Sequence, residues 1–540
     1  MKHHLRTGMG MVLAILGVLA GNASAQTKVQ TGVILLAQTT TNLYGNGIVV
    51  GQPEADVTAS PLGFEVNPAN IGNPPATFTY ASADGIATTY PNLLGTNSWH
   101  AEEVADYFYG PGIGLATKVA HVDNLDANFF ITNYVGNSLL PPCGDAVVNQ
   151  SFTFGNEVTN DPAPDYDISV SDAQQVDSAY DDYANQNGTL FVSAVNNVGS
   201  VSPPGTAYNS IGVAAYGAGA TSSIGPTVDN GRCKPDITAP AGATSFSTPQ
   251  VSGAATVLLQ AGERGDGGGD TNSASDMRTL KALLLTGAVK PTGWTNGPNA
   301  PLDARYGSGL LNLFNAYHLL AGLRQSNCVT TAVAIGGSHP PASDTNTIGS
   351  LNAWDFNTNT SSALTDTVNH YYFNATNGHA TTRFLTTATL VWNRQLGQTN
   401  INHLRLFLYR VADSNLVACS TSLVDNVQHI YLPQLAAGRY DLQVWKAGGT
   451  NLVSTNEAYA LAFAFAPIPA LAITLTGANL QMTWPIYPAG FTAEATAFPV
   501  TGATWSTNNL LSIIVTNQQN LLQLNPTNAP RFFRLVSPNF

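Results

Sequence analysis

The chain has 540 residues, too many for one ordinary core, and at roughly 100–200 residues per domain it divides into about three. Only 10% of the residues are charged and the formal net charge is −13. So few basic groups exclude nucleic acid as a partner, because phosphates need a Lys- and Arg-rich surface.

At the N-terminus Lys2 and Arg6 precede an apolar run from Met9 to Ala20, and Ala23-Ser24-Ala25 fits the small-residue rule for signal cleavage. The run is about a dozen residues, short of the roughly 20 that span a bilayer, so no membrane span is expected. The expected fate is export to an extracellular or periplasmic space, with 1–25 removed as signal peptide and the chain beginning near Gln26. Four cysteines follow, Cys143, Cys233, Cys328 and Cys419. In an oxidising compartment they are disulfide candidates with three possible connectivities, and buried free thiols are the alternative; none has metal-ligand spacing.

From Thr27 to about Gly322 short apolar strands alternate with helical stretches, the pattern of a mainly parallel sheet covered by helices. Candidate strands are Gly47–Gly51, Ala146–Phe152, Leu190–Val195 and Ile211–Tyr216. Asp172–Asn187 reads as an amphipathic helix ended by Gly188. Beyond Arg324, the runs Thr386–Trp392, Leu404–Tyr409, His429–Leu432 and Tyr440–Trp445 read as a β-sandwich, and Ala472–Phe540 as a further small β module. The expected division is 26–325 for an α/β domain, 326–466 for the sandwich and 467–540 for the last module.

The stretch GATSFSTPQVSGAATVLLQ, Gly242 to Gln260, leads through small residues into Ser245 and then a helix with Pro249 in its first turn. Taken alone, Ser245 reads as an N-cap on a core helix. The stretch resembles the nucleophile motif of subtilisin-like serine peptidases, G-T-S-x-[AS]-x-P-x-V-[AS]-G, with Ala243 where Gly is usual. The resemblance implies an α/β subtilisin-like fold and the chain order acid, His, Ser. SWHAEEVADYFYG then resembles the family's histidine box, with His100 as general base and Ala101 and Glu102 replacing the usual Gly and Thr. His121 reads as a packed or satisfied histidine.

The strand GIVVGQPEA aligns Glu54 with the family's aspartate, and Asp56 is the rival. In FVSAVNNVG, Asn196 aligns with the family's Gly and Asn197 with its oxyanion donor; the reverse assignment stays open. DAVVNQSF, KPDITAP and YGSGLLNLFNAY carry further likeness. Only Ala241–Thr244 separate Pro240 from Ser245, a shorter loop than is usual in the family.

The implied activity is hydrolysis of proteins and peptides through an acyl-enzyme at Ser245, with extended substrate along Ser151–Gly155. No cofactor is required. Family members often bind Ca²⁺; Asp123, Asp126, Asp161 and Asp165 read as solvated loop carboxylates and assign no ion site. The rivals are a sedolisin-like acid peptidase and an inactive subtilisin-like scaffold acting as an extracellular binding protein. The sandwich, which lacks the catalytic motifs, is expected to be dispensable for chemistry and to be closed by a Cys328–Cys419 link. Oligomeric state has no sequence signal.

Overall fold

The computed structural model describes residues 27–136, 140–155, 168–341, 345–379, 381–477, 479–501, 503–507, 513–524 and 532–537; the segment read as a signal peptide lies outside them. After a first helix, α1 (Val33–Thr39), eight strands build the main sheet: β1 Val49–Glu54, β2 Thr77–Ser82, β3 Gly85–Ala87, β4 His121–Asp126, β5 Val147–Gln150, β6 Leu190–Ala194, β7 Ile211–Tyr216 and β8 Ile237–Pro240. Their spatial order is β8-β7-β6-β5-β1-β4-β2-β3, parallel throughout except for the hairpin edge strand β3.

This is an α/β arrangement, a mainly parallel sheet covered by helices, as the sequence pattern suggested. Both faces of the sheet are covered, so the strands are mostly apolar and even their polar residues, Asn149, Gln150 and Ser193 among them, are buried; all of β5 and β6 is buried. Being parallel, β1, β4, β5 and β6 end along one rim, where Glu54, Asp126, Ser151 and Asn197 fall. Asp123 and Asp126 therefore sit in a strand, where the sequence suggested loops; Asp161 and Asp165 lie outside the described residues.

Helices α2 (Trp99–Phe108), α3 (Val170–Asn187) and α4 (Thr244–Glu263) cover the sheet. α3 ends at Gly188, whose φ of 68° needs a residue without a Cβ. α4 is buried almost end to end, and α2 packs across it. Gly253 permits that packing, since a Cβ there would stand 3.2 Å from the carbonyl oxygen of Phe108, the last residue of α2, and 2.8 Å from Leu115 Cβ in the segment that follows. Two more helices, α5 (Met277–Gly287) and α6 (Leu313–Ala321), complete the layer.

The antiparallel half comprises β9 Val329–Ala334, β10 Asn352–Thr360, β11 Thr365–Ala375, β12 Arg383–Trp392, β13 Leu404–Arg410, β14 Asn415–Ser420, β15 Val427–Ala436, β16 Gly438–Lys446 and β17 Asn456–Pro467. Two sheets, β9-β11-β16-β13-β14 and β10-β17-β12-β15, enclose a core that includes Trp392, Phe373, Phe463 and Tyr459. Further along, four strands between Ala472 and Leu524 and a pair, Thr492–Thr496 with Phe532–Val536, hold a small core of Met482, Trp484, Ala493 and Leu522.

The four cysteines are free thiols, which corrects their reading as disulfide candidates. Cys328 precedes edge strand β9 and Cys419 lies in the opposite edge strand β14, four strand spacings away. At about 4.8 Å per spacing that is roughly 19 Å, beyond the reach of a disulfide. Cys143 and Cys233, before β5 and β8, are three spacings apart in the main sheet.

The sandwich is not an independent appendage. Ten of the eleven residues of α5 are buried, and it packs against β10, β12 and β17. A helix apolar on all sides needs a partner on each side. Val391, Val427, Ala460, Ala462 and Ala464 of the sandwich accordingly belong to the same apolar core as Leu283 and Leu284. Polar ties reinforce the junction: Thr286 Oγ1 donates to Thr389 Oγ1 (2.8 Å), Asn426 Nδ2 to the Tyr208 carbonyl (2.8 Å), and Arg394 pairs with buried Asp181 (2.8 Å). The connection from α6 to β9 is itself pinned: Arg324 pairs with Asp355 (2.9 Å) and Asp270, and Gln325 N–H donates to the Trp354 carbonyl (2.8 Å).

Candidate active site

Glu54 closes β1 and is 1% exposed, so its carboxylate must be paired inside the protein. Its Oε2 lies 2.9 Å from His100 Nδ1. A carboxylate can only accept, so that contact fixes the tautomer: Nδ1 carries the proton and Nε2 is the free lone pair. His100 is the second residue of α2, whose N-cap Ser98 accepts from Ala101 N–H at 3.3 Å. His100 Nε2 is buried and has no partner among the described residues. The imidazole is thereby oriented from behind and vacant in front.

α4 begins at Thr244, so Pro249 is its sixth residue, inside the helix, where the sequence suggested the first turn. A proline at that point deprives the Ser245 carbonyl of its i+4 partner. Ser151 Oγ supplies the missing bond at 2.8 Å, and Ser245 Oγ lies 3.5 Å from the Ser151 carbonyl. The end of β5 and the start of α4 are thus clamped together. Phe246 stands 5.8 Å, centroid to centroid, from the His100 ring and stacks on Tyr107 of α2, which brings the start of α4 against His100. The Ser245 hydroxyl itself is turned toward Ser151, and the Ser–His hydrogen bond is open.

Asn197 reaches α4 from the end of β6. Its Oδ1 accepts from Thr244 N–H (2.8 Å) and from Thr244 Oγ1 (2.9 Å), doing the capping that Ala243 cannot. With Oδ1 so committed, the amide N–H₂ is the branch left to donate. Asn196 instead has φ 93°, the left-handed geometry expected where the family has Gly. Its Nδ2 faces Ser202 Oγ (3.4 Å) and the Ser200 carbonyl (3.5 Å).

Asp56 does not face His100; its carboxyl is held near Asp126, which caps the short helix Ala127–Phe130. Burial, and then the Asp126 charge, push Asp56 up to about 7. Its proton is therefore held more tightly in the folded than in the unfolded chain, so this group loses stability as pH rises from about 4 to about 7. Asp56→Asn should raise the melting temperature by several degrees near pH 8 and leave it unchanged near pH 4, measured by thermal unfolding at both. An equal shift at both would show that the carboxyl does not carry the dependence.

Among the described residues no three His, Cys, Asp or Glu converge as a metal set. His121 is satisfied by Thr77, Thr79 and Asp123. Two contributions were not read from sequence: the bond from Ser151, expected only as part of the substrate edge, to the Ser245 carbonyl, foreshadowed by the proline four residues after Ser245; and Gln52, a buried polar residue on the same face of β1 as Glu54.

The Subtilase family model matches residues 130–309, a span that holds Ser151, Asn197 and Ser245 and begins after Glu54 and His100. No curated protein matches the chain. Similar solved structures include the nisin leader peptidase NisP from Lactococcus lactis (16% identity, TM-score 0.33, covering 55% of this chain and 93% of that one). Another is the epidermin leader peptide processing serine protease EpiP from Staphylococcus aureus (15% identity, TM-score 0.34, 55% and 80% covered).

Proposed function

From the match of the Subtilase family model to residues 130–309, we propose that this chain is an exported serine endopeptidase that hydrolyses peptide bonds through an acyl-enzyme at Ser245. The observation that carries the reading is the 2.9 Å contact of Glu54 with His100 Nδ1, which leaves a buried, unpartnered Nε2 beside the start of α4. A hydroxyl is a weak nucleophile unless a base takes its proton as it attacks. His100 Nε2 is that base once Ser245 Oγ rotates off the Ser151 carbonyl, and apo geometry of this kind is often loose.

Oγ adds to the peptide carbonyl carbon as its proton passes to Nε2. The negative charge that develops on the carbonyl oxygen is met by the Ser245 N–H and Asn197 Nδ2, two donors fixed before reaction begins. The imidazolium, steadied by Glu54, gives its proton to the departing amine. Water, deprotonated by the same nitrogen, then cleaves the ester and returns the proton to Ser245.

The open Ser–His pair favours a second reading, a non-catalytic scaffold. A serine-directed fluorophosphonate separates the two, because only an activated serine is phosphonylated. The expected result is a single adduct mapped to Ser245 by peptide mass spectrometry, together with hydrolysis of mixed peptides at neutral pH. A wild-type chain that is folded, unlabelled and inert would establish the scaffold. Turnover confined to acid would instead favour the sedolisin-like mechanism.

A further inference from the structure

Glutamate is one methylene longer than the family's aspartate, and that extra torsion must be restrained if the carboxylate is to hold an imidazole in one orientation. The rim of β1 contains the restraint. Gln52 Nε2 donates to Glu54 Oε1 at 3.0 Å and to the Ala101 carbonyl at 2.9 Å, while Tyr109 OH donates to Gln52 Oε1 at 2.6 Å. The Ala101 carbonyl settles the amide: it can only accept, so the branch that faces it and Glu54 is the nitrogen, and the oxygen is left to accept from Tyr109 OH. Gln52 and Tyr109 are both fully buried. Burial holds the Tyr109 phenol well above its usual range, so it remains a donor.

We infer that Gln52, braced by Tyr109, is a positioning residue that makes a glutamate serviceable as the acid partner of His100. The inference rests on the serine-peptidase reading of the preceding section. Each Glu54 oxygen then has one fixed donor, Gln52 on Oε1 and His100 on Oε2, and Gln52 also ties the carboxylate to the backbone of the helix that carries the histidine. The side chain touches neither substrate nor the reacting atoms and acts only through Glu54.

The test is a double-mutant cycle on the full chain with internally quenched mixed-sequence peptides. Gln52→Met keeps the volume and removes the donor; kcat should fall about 10–100-fold with KM changed less than about twofold. Loss of a donor makes Glu54 more basic and its imidazolium partner more stable, so the acid limb of kcat/KM should move to higher pH. In a Glu54→Gln background the same change should cost less than about twofold, since its target is already gone. Tyr109→Phe, which removes one oxygen and should fold normally, is expected to cost about 3–10-fold with the same direction of shift.

Losses that multiply across the cycle, or a Gln52→Met chain with wild-type kcat and an unmoved acid limb, would overturn the inference. If the wild-type chain hydrolyses nothing, the functional reading fails by itself, and the bracing is read without turnover. The His100 Nδ1 proton signal in ¹⁵N-histidine NMR should be present in the wild type and broadened away in Gln52→Met. Its persistence unchanged would refute the positioning role.

Discussion

Ser245→Ala is expected to lower kcat on short peptides by about 10³–10⁶-fold, leaving only the catalysis that the oxyanion donors and substrate binding provide. The fold should survive. The Ser245 side chain is half-buried, its one contact is long at 3.5 Å, and the bond that ties α4 to β5 runs to the backbone carbonyl, which alanine retains. The melting temperature should therefore stay within about 2 °C of wild type, the small effect usual for a substitution that removes no packing. Kinetics and thermal unfolding on the same preparation check both halves. Undiminished hydrolysis would sink the assignment of the nucleophile, and a collapse in stability would mean that the hydroxyl is structural.

A chain ending at Arg324 should be insoluble or unfolded and without peptidase activity, although it keeps every proposed catalytic residue. α5 would lose the β10, β12 and β17 surface that covers one of its sides. Exposing three large apolar side chains costs ~4.5–9 kcal/mol at ~1.5–3 kcal/mol each, comparable with the ~5–15 kcal/mol of net stability of a whole protein. Asp181 would lose Arg394, and buried Lys290, which burial pulls down to about 7, would lose the Tyr431 ring. Circular dichroism and peptide assays of the truncated chain decide the matter. A soluble, folded, active product would show that the sandwich is only an accessory, as the sequence suggested.

The candidate residues could be picked out because Ser245 sits in a long motif whose resemblance implies the order acid, His, Ser, and the structure brings two of them, Glu54 and His100, into contact. The parallel sheet was legible where its buried strands are mostly apolar: Leu190–Val195 and Ile211–Tyr216 lie within a residue of β6 and β7. What escaped notice depends on contacts between segments far apart in the chain. Composition makes Gln52 a polar interruption in β1; only its closeness to Tyr109, 57 residues on, gives it a purpose. The cysteine pairing failed for a related reason. Two thiols in one β-rich segment suggest a link, but strand order decides the distance, and pairing order across a sheet is weakly encoded in any one strand. The sandwich strands could likewise be located, whereas the continuity of their core with α5 could not, since alanines such as Ala460, Ala462 and Ala464 carry little signal of the surface they meet.

A peptidase is always in the presence of its own substrate class, because every other copy of itself is a polypeptide. Cleavage of a native chain usually begins at an exposed, loosely held link, where several residues can be drawn out as an extended strand. The bonded passage between α6 and β9 denies such a start: Arg324 is held by Asp355 and Asp270, and Gln325 by the backbone of Trp354. To be cut there the chain would first have to open a junction that shares its core with the rest of the molecule. For a chain with the activity proposed above, protection of this one link from self-cleavage is a by-product of how the two halves are joined.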